Sequence, residues 1–184
     1  MNKKDLFKKY ASKETFEKIV EVKDVQELTK LMEKNYLDLE AIQTKDLKFK
    51  TYKELLSDVK KVYTLLADKD IKKGDIVGIY AGNNYDFAFA ALGVMAYGAV
   101  AALIPSHLPK EIMPGVEKKY NLKLLLFEDE LKDNASLVEN KYNIKDILSL
   151  KNPNPSISAD FEEFSLTGIY SNHLPTVNMM VDLY

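Results

Sequence analysis

Cysteine, tryptophan and arginine are all absent from this chain of 184 residues. Without cysteine there is no disulfide framework, no thiolate zinc site and no thiol chemistry. Every basic residue is lysine, so the chain lacks the planar two-bond fork that proteins favour for guanine edges, carboxylates and many phosphates, which counts against specific nucleic-acid readout. Histidine is almost as scarce. His107 and His173 lie far apart in the sequence, and a histidine-based metal centre or a histidine relay is poorly supplied. No run of about 18 apolar residues occurs, so no bilayer-spanning helix is expected. The first ten residues are polar and lysine-rich with no apolar run behind them, unlike a secretory signal. Twenty-six lysines stand against 28 acids, for a formal net charge of −2, and the signs are interspersed, so the chain as a whole attracts neither nucleic acid nor an anionic membrane. A soluble cytoplasmic protein is the expectation.

What is present is apolar material for a core. At 46% hydrophobic the chain is rich enough for one compact domain with a small appendage. The first forty residues read as two amphipathic helices, the first carrying Phe16, Ile19 and Val20. The second carries Val25, Leu28, Leu31, Met32 and Tyr36, and opens on Asp24 as N-cap with Glu27 in its first turn. Residues 39–50 suggest a small hairpin around Thr44-Lys45-Asp46. Thr51-Tyr52-Lys53-Glu54 fits the capping box, in which hydroxyl and carboxylate each satisfy a free amide at a helix start. The helix behind it places Tyr52, Leu55, Leu56, Val59, Val62, Tyr63 and Leu66 on one face, with Lys53, Asp58, Lys60 and Lys61 off it.

Ile76–Ala81 has the β-branched character of a buried strand. Asn83 and Asn84 are N-cap candidates for a helix over Tyr85–Tyr97 that is apolar on nearly every side and must therefore be covered on most faces. Gly98 stops it, residues 99–104 read as a second strand closed by Pro105, residues 122–127 as a third, and residues 144–148 as a weaker fourth. Strand and helix alternating at this spacing mean an α/β fold, a doubly wound, mainly parallel sheet with flanking helices. Met113-Pro114-Gly115 cannot sit inside a straight helix, so the helix after Pro109 breaks near Met113 or begins there with Pro114 in its first turn. Pro153 and Pro155 mark a linker over residues 151–156. The organisation expected is an α/β subdomain over 1–150, that linker, and an irregular tail over 157–184, whose Phe161, Phe164, Leu166, Ile169 and Tyr170 seek cover.

Three stretches in order carry a family resemblance. Phe49-Lys50-Thr51-Tyr52-Lys53-Glu54-Leu55 resembles the first core motif of the adenylate-forming (AMP-binding) superfamily, which includes acyl-CoA synthetases, peptide-synthetase adenylation domains and luciferases. Lys72-Lys73-Gly74-Asp75-Ile76-Val77-Gly78-Ile79, followed by Asn83 and Asn84, is similar to that family's Gly-Asp strand and Asn-containing turn. Met95-Ala96-Tyr97-Gly98-Ala99-Val100 leading to Ile104-Pro105 resembles the second core motif, with Tyr97 departing from its spacing. The resemblance spans about residues 24–129 and implies the N-terminal portion of an acyl-CoA synthetase-like ligase, incomplete relative to the family's N-terminal domain.

The activity implied is carboxylate activation: ATP and an acid give an acyl-adenylate and pyrophosphate, and coenzyme A or phosphopantetheine takes the acyl group. Family members hold the triphosphate in a Ser/Thr/Gly-rich loop ending in Lys, with Mg²⁺, because backbone amides must approach phosphate closely. Of the candidates here, Ser165-Leu166-Thr167-Gly168 has one Gly and no following Lys, and Tyr170-Ser171-Asn172-His173-Leu174-Pro175 has neither, so both read as tail residues. The expectation is therefore a chain truncated before the phosphate loop and inactive alone, with no catalytic, cofactor-binding or metal residue assigned and no cofactor of its own. Its one foreseeable partner is the remainder of a synthetase.

Two other readings stand beside it. The chain is an interaction module completing a split enzyme, through the apolar helix Tyr85–Tyr97 and the apolar residues 177–184, or a small nucleotide or metabolite binder at the strand ends near Ala81-Gly82-Asn83 and Pro105. Glu128, Asp129 and Glu130 end a strand and invite a metal, but consecutive side chains diverge, so a solvated strand end is the expectation. His107 lies past Pro105 with no partner acid or nucleophile identifiable from the sequence.

Overall fold

The structure, a computed structural model, describes residues 24–151 and the strand Leu166–Gly168. The first amphipathic helix, the linker and the rest of the tail lie outside the described residues. The chain enters through α1 (Val25–Asn35), whose N-cap Asp24 accepts the Glu27 amide at 2.7 Å. A hairpin of β1 (Glu40–Gln43) and β2 (Phe49–Thr51) follows, antiparallel as the sequence suggests. Thr51 closes it and opens α2 (Tyr52–Asp68) with a complete capping box: the Glu54 amide reaches the Thr51 hydroxyl at 3.3 Å and the Thr51 amide reaches the Glu54 carboxylate at 2.9 Å.

The main sheet is built from β3 (Ile76–Ala81), β4 (Val100–Pro105), β5 (Leu124–Phe127), β6 (Lys141–Asn143) and β7 (Leu166–Gly168). All pairs are parallel, in the spatial order β6-β5-β3-β4-β7. Helix α3 (Tyr85–Tyr97) connects β3 to β4. A short 3₁₀ turn (Lys110–Ile112) and α4 (Met113–Tyr120) carry the chain back across the sheet to β5, and Pro114 sits in the first turn of α4, where its missing N–H costs nothing. A second 3₁₀ turn (Asp129–Leu131) and α5 (Lys132–Ala135) precede β6, and α6 (Ile144–Ile147) follows it.

Strand alternation divides the interior in two. Val77, Ile79, Ala81, Ala101, Leu124 and Leu126 face α2 and α3, packing on Leu55, Val59, Val62, Leu66, Phe89 and Val94. The intervening Tyr80, Ala102, Ile104, Leu125 and Phe127 face α4 and α5, against Leu108, Met113, Val116 and Val138. The strands β3, β4 and β5 therefore read as continuous apolar runs because both faces are covered. Helix α3 is apolar all round for the same reason, since it packs on α1, α2, β3 and β4 together. It is a central layer of the fold, which removes it as an uncovered surface for a partner. Gly93 makes this closeness possible: a Cβ there would lie 2.6 Å from Val62 Cβ.

The structure corrects three sequence expectations. The fourth strand is Lys141–Asn143, and residues 144–147 are helical. Asn143 caps them by accepting the Lys145 amide at 2.9 Å, and Ile144 and Ile147, one turn apart, are both buried. Asp58, expected on the solvent side of α2, is buried. Leu166–Gly168, read as irregular, adds an edge strand to β4 with Ala101 opposite Leu166.

Candidate functional site

In an open parallel sheet, ligands bind beyond the carboxyl ends of the strands, where neighbouring strands send their connections in opposite directions. Here β3 sends its connection one way to β4, and β5 sends its own the other way to β6, so that point lies between β3 and β5. The residues it brings together are Gly82, Asn83 and Asn84 from one strand end and Glu128 from the other. Nothing in sequence spacing joins them.

The Glu128 carboxylate fills this position. It accepts the Gly82 amide at 2.7 Å and the Asn84 side-chain amide. Asn84 is thereby held so that its carbonyl oxygen accepts the Phe87 amide at 3.0 Å and caps α3. Asp129 turns away to accept from Asn143 Nδ2 at 2.7 Å, and Glu130 is exposed. The expected divergence of the three acids is observed, but Glu128 is a bonded connector and not a solvated end. The Asp86 carboxyl, in the first turn of α3, is pushed up, first by burial and then by the charges of Glu128 and Glu130. Among the described residues no three His, Cys, Asp or Glu side chains are placed to hold a metal ion. His107 is exposed in the turn after β4.

Two further polar clusters escaped sequence reading because their members are distant in the chain. Tyr80, fully buried on β3, donates to the Leu108 carbonyl at 2.5 Å and accepts from Asn134 Nδ2 at 3.0 Å. Asp58 accepts the Tyr85 hydroxyl at 2.7 Å and Lys61 Nζ at 2.9 Å, and Lys61 also reaches the Leu148 carbonyl at 3.1 Å. Burial, then the adjoining Asp58 carboxylate, pushes the Tyr85 hydroxyl upward, so it remains a donor at all ordinary pH. The sequence carries no signal for the second cluster, because Asp58 falls off the apolar face of α2 beside Lys60 and Lys61. Both clusters are satisfied internally and tie layers together.

The described residues around this crevice are acidic and internally bonded. The amides at the strand-end crevice already hold a carboxylate, Asp86 and Glu130 add negative charge, and no lysine-ended Gly-rich loop occurs among them. Of the two candidate loops, Leu166–Gly168 is a strand, and Ser165 and residues 170–175 lie outside the described residues.

An all-parallel, doubly wound α/β domain with a capping box after its hairpin and an Asn-capped apolar helix after its first sheet strand defines the class. The chain belongs to the AMP-binding enzyme family, whose model matches residues 30–172. Over 118 residues it is 33% identical to the acetyl-coenzyme A synthetase of Serratia proteamaculans, covering 64% of this chain and 18% of that protein. Over 104 residues it is 35% identical to the acetyl-coenzyme A synthetase of Escherichia coli K12, covering 56% of this chain and 16% of that protein. Among solved structures, a fatty acyl CoA synthetase of Mycobacterium tuberculosis superposes with a TM-score of 0.68 at 17% identity, over 82% of this chain and 33% of that one. The chain thus spans less than a fifth of the length of the curated relatives it matches.

Proposed function

We propose that this chain supplies the N-terminal α/β portion of an ATP-dependent, adenylate-forming acyl-CoA synthetase, and that nucleotide, Mg²⁺, carboxylic acid and thiol acceptor are handled by parts outside it. The observation that carries this reading is the continuous unit from Thr51 to Pro105, in which the three quoted motifs become the capping box of α2, the strand β3 with its Asn84-capped helix, and the turn into β4. These motifs shape the fold and present no reacting group. The names of the curated relatives support an acyl-CoA synthetase. Carboxylate activation places developing charge on a phosphate, which needs preorganised donors and cations; the described residues offer an acidic crevice instead. The purified chain, supplied with ATP, Mg²⁺ and a panel of carboxylic acids, should release no pyrophosphate, and sustained release would overturn the proposed division of labour.

A second reading, that the chain completes a separate partner carrying the remaining parts, draws on the hairpin. Leu47 and Phe49 stand 74% and 49% exposed there, and Leu47 is held at a φ of 62°, a conformation that costs a leucine roughly 1–2 kcal/mol. Co-expression with a chain carrying the family's phosphate loop and lid tests it. Absence of both a complex and restored activity would leave only the first reading.

A further inference from the structure

We infer that Glu128 is an internal occupant of the anion position between β3 and β5, and that this crevice is thereby closed to nucleotide phosphates. The Gly82 amide and the Asn84 side-chain amide, beside the N-terminus of the 13-residue helix α3, both donate to one carboxylate. Backbone amides and a helix start are the groups that hold phosphates in other α/β proteins, and here the Gly82 amide is spent on Glu128 and the Phe87 amide of the first helical turn on Asn84. The fit is tight: a Cβ on Gly82 would lie 3.3 Å from Glu128 Oε2, so the bare glycine lets the carboxylate seat. The backbone fixes the acid as well, since the Glu128 amide continues the β5 ladder to the Tyr80 carbonyl at 3.0 Å. An incoming phosphate would have to displace a tethered anion whose two bonds are already made. It would also approach Asp86 and Glu130, whose charges act in the same region. The nucleotide implied by the family therefore has its seat elsewhere than this generic site of open sheets. The inference is separate from the proposed function, because pyrophosphate release would overturn that reading and leave this crevice as it is.

Glu128→Ala empties the position and leaves the two donors facing the space of a missing carboxylate, so acetate should bind there. At fixed ionic strength, acetate in place of chloride should raise the melting temperature of Glu128→Ala. Acetate at ten times its Kd should lower the unfolding constant about elevenfold. Wild type and Glu128→Gln, whose side chain still fills the space, should show no acetate-specific gain. In wild type, titration with AMP or ATP should leave the amide resonances of Gly82, Asn83 and Asn84 unmoved. Nucleotide-dependent shifts at those amides would overturn the inference, and so would a folded Glu128→Ala that melts alike in acetate and chloride. If Glu128→Ala does not fold, the wild-type titration decides alone.

Discussion

Gly93→Ala tests the packing on which the central layer depends. In an isolated helix the substitution stabilises, because alanine is favoured over glycine by about 1 kcal/mol. In α3 the added Cβ would stand 2.6 Å from Val62 Cβ and 2.8 and 2.9 Å from its two methyls. Ordinary contact begins at 3.4 Å, so α2 and α3 must part by about 0.8 Å along this line. The obstacle is the branch point of a buried valine on the facing helix, and rotation about its χ1 cannot move it. A gap of 0.5–1 Å forfeits about a quarter to a half of each dispersion contact it opens, and overpacking of cores costs about 1–3 kcal/mol, occasionally more. Because the obstacle is a branch point that cannot rotate away, the cost falls in the upper part of that range, about 2–3 kcal/mol; subtracting the propensity gain of about 1 kcal/mol leaves a net loss of about 1–2 kcal/mol, or about 2–8 °C in melting temperature for a domain of this size. Urea unfolding followed by circular dichroism would measure it. Val62→Ala removes the two methyl clashes, so the double variant should be better than the sum of the singles by more than about 0.5 kcal/mol. A Gly93→Ala chain as stable as wild type, or more stable, would refute the close-packing argument.

Tyr85→Phe should cost about 1.5–3 kcal/mol by deleting a hydrogen bond to the Asp58 carboxylate, read as a shift in urea midpoint at unchanged slope. Thr51→Ala should lose about 0.5–2 kcal/mol by breaking the capping box of α2, and Thr51→Ser should restore most of it. Burial pushes the Tyr63 hydroxyl up to about 12, above its value of about 10 in the unfolded chain. Its contribution is therefore intact below pH 10 and is lost as pH rises from about 10 to 12, worth on the order of 2–3 kcal/mol. Tyr63→Phe should flatten that part of the alkaline decline in urea midpoint; an unchanged slope would contradict the assignment.

The local grammar of the chain was legible before any coordinates. Asp24, Thr51 with Glu54, and Asn84 start the helices they were expected to start, Gly98 ends α3 at a φ of 97°, and Pro114 falls in a first turn. The caps rest on bonds between residues three or four apart, which short spacing encodes, and the proline's place follows from the N–H it lacks. Buried strands were legible as short apolar runs bounded by turn residues, β-branched in Ile76–Ala81 and closed by Pro105 in the next. Residues 144–148 misled because an apolar run of that length suits a strand or a buried helical turn equally, and the deciding group, the Asn143 cap, lies just outside it.

Tertiary structure alone decided everything that depends on pairs far apart in the chain. The order β6-β5-β3-β4-β7 follows from which faces of the sheet each helix can cover, and only that order sets Glu128 beside Gly82 and Asn84, 46 and 44 residues away. Asp58 looked like a surface acid until α3 laid Tyr85 against it, 27 residues on. Gly93 weakens a helix by propensity alone, and only the crossing of α2 at Val62 gives it a packing role. Local spacing specifies backbone satisfaction, whereas burial, close approach and the filling of the strand-end crevice are properties of surfaces that meet only once the layers have packed.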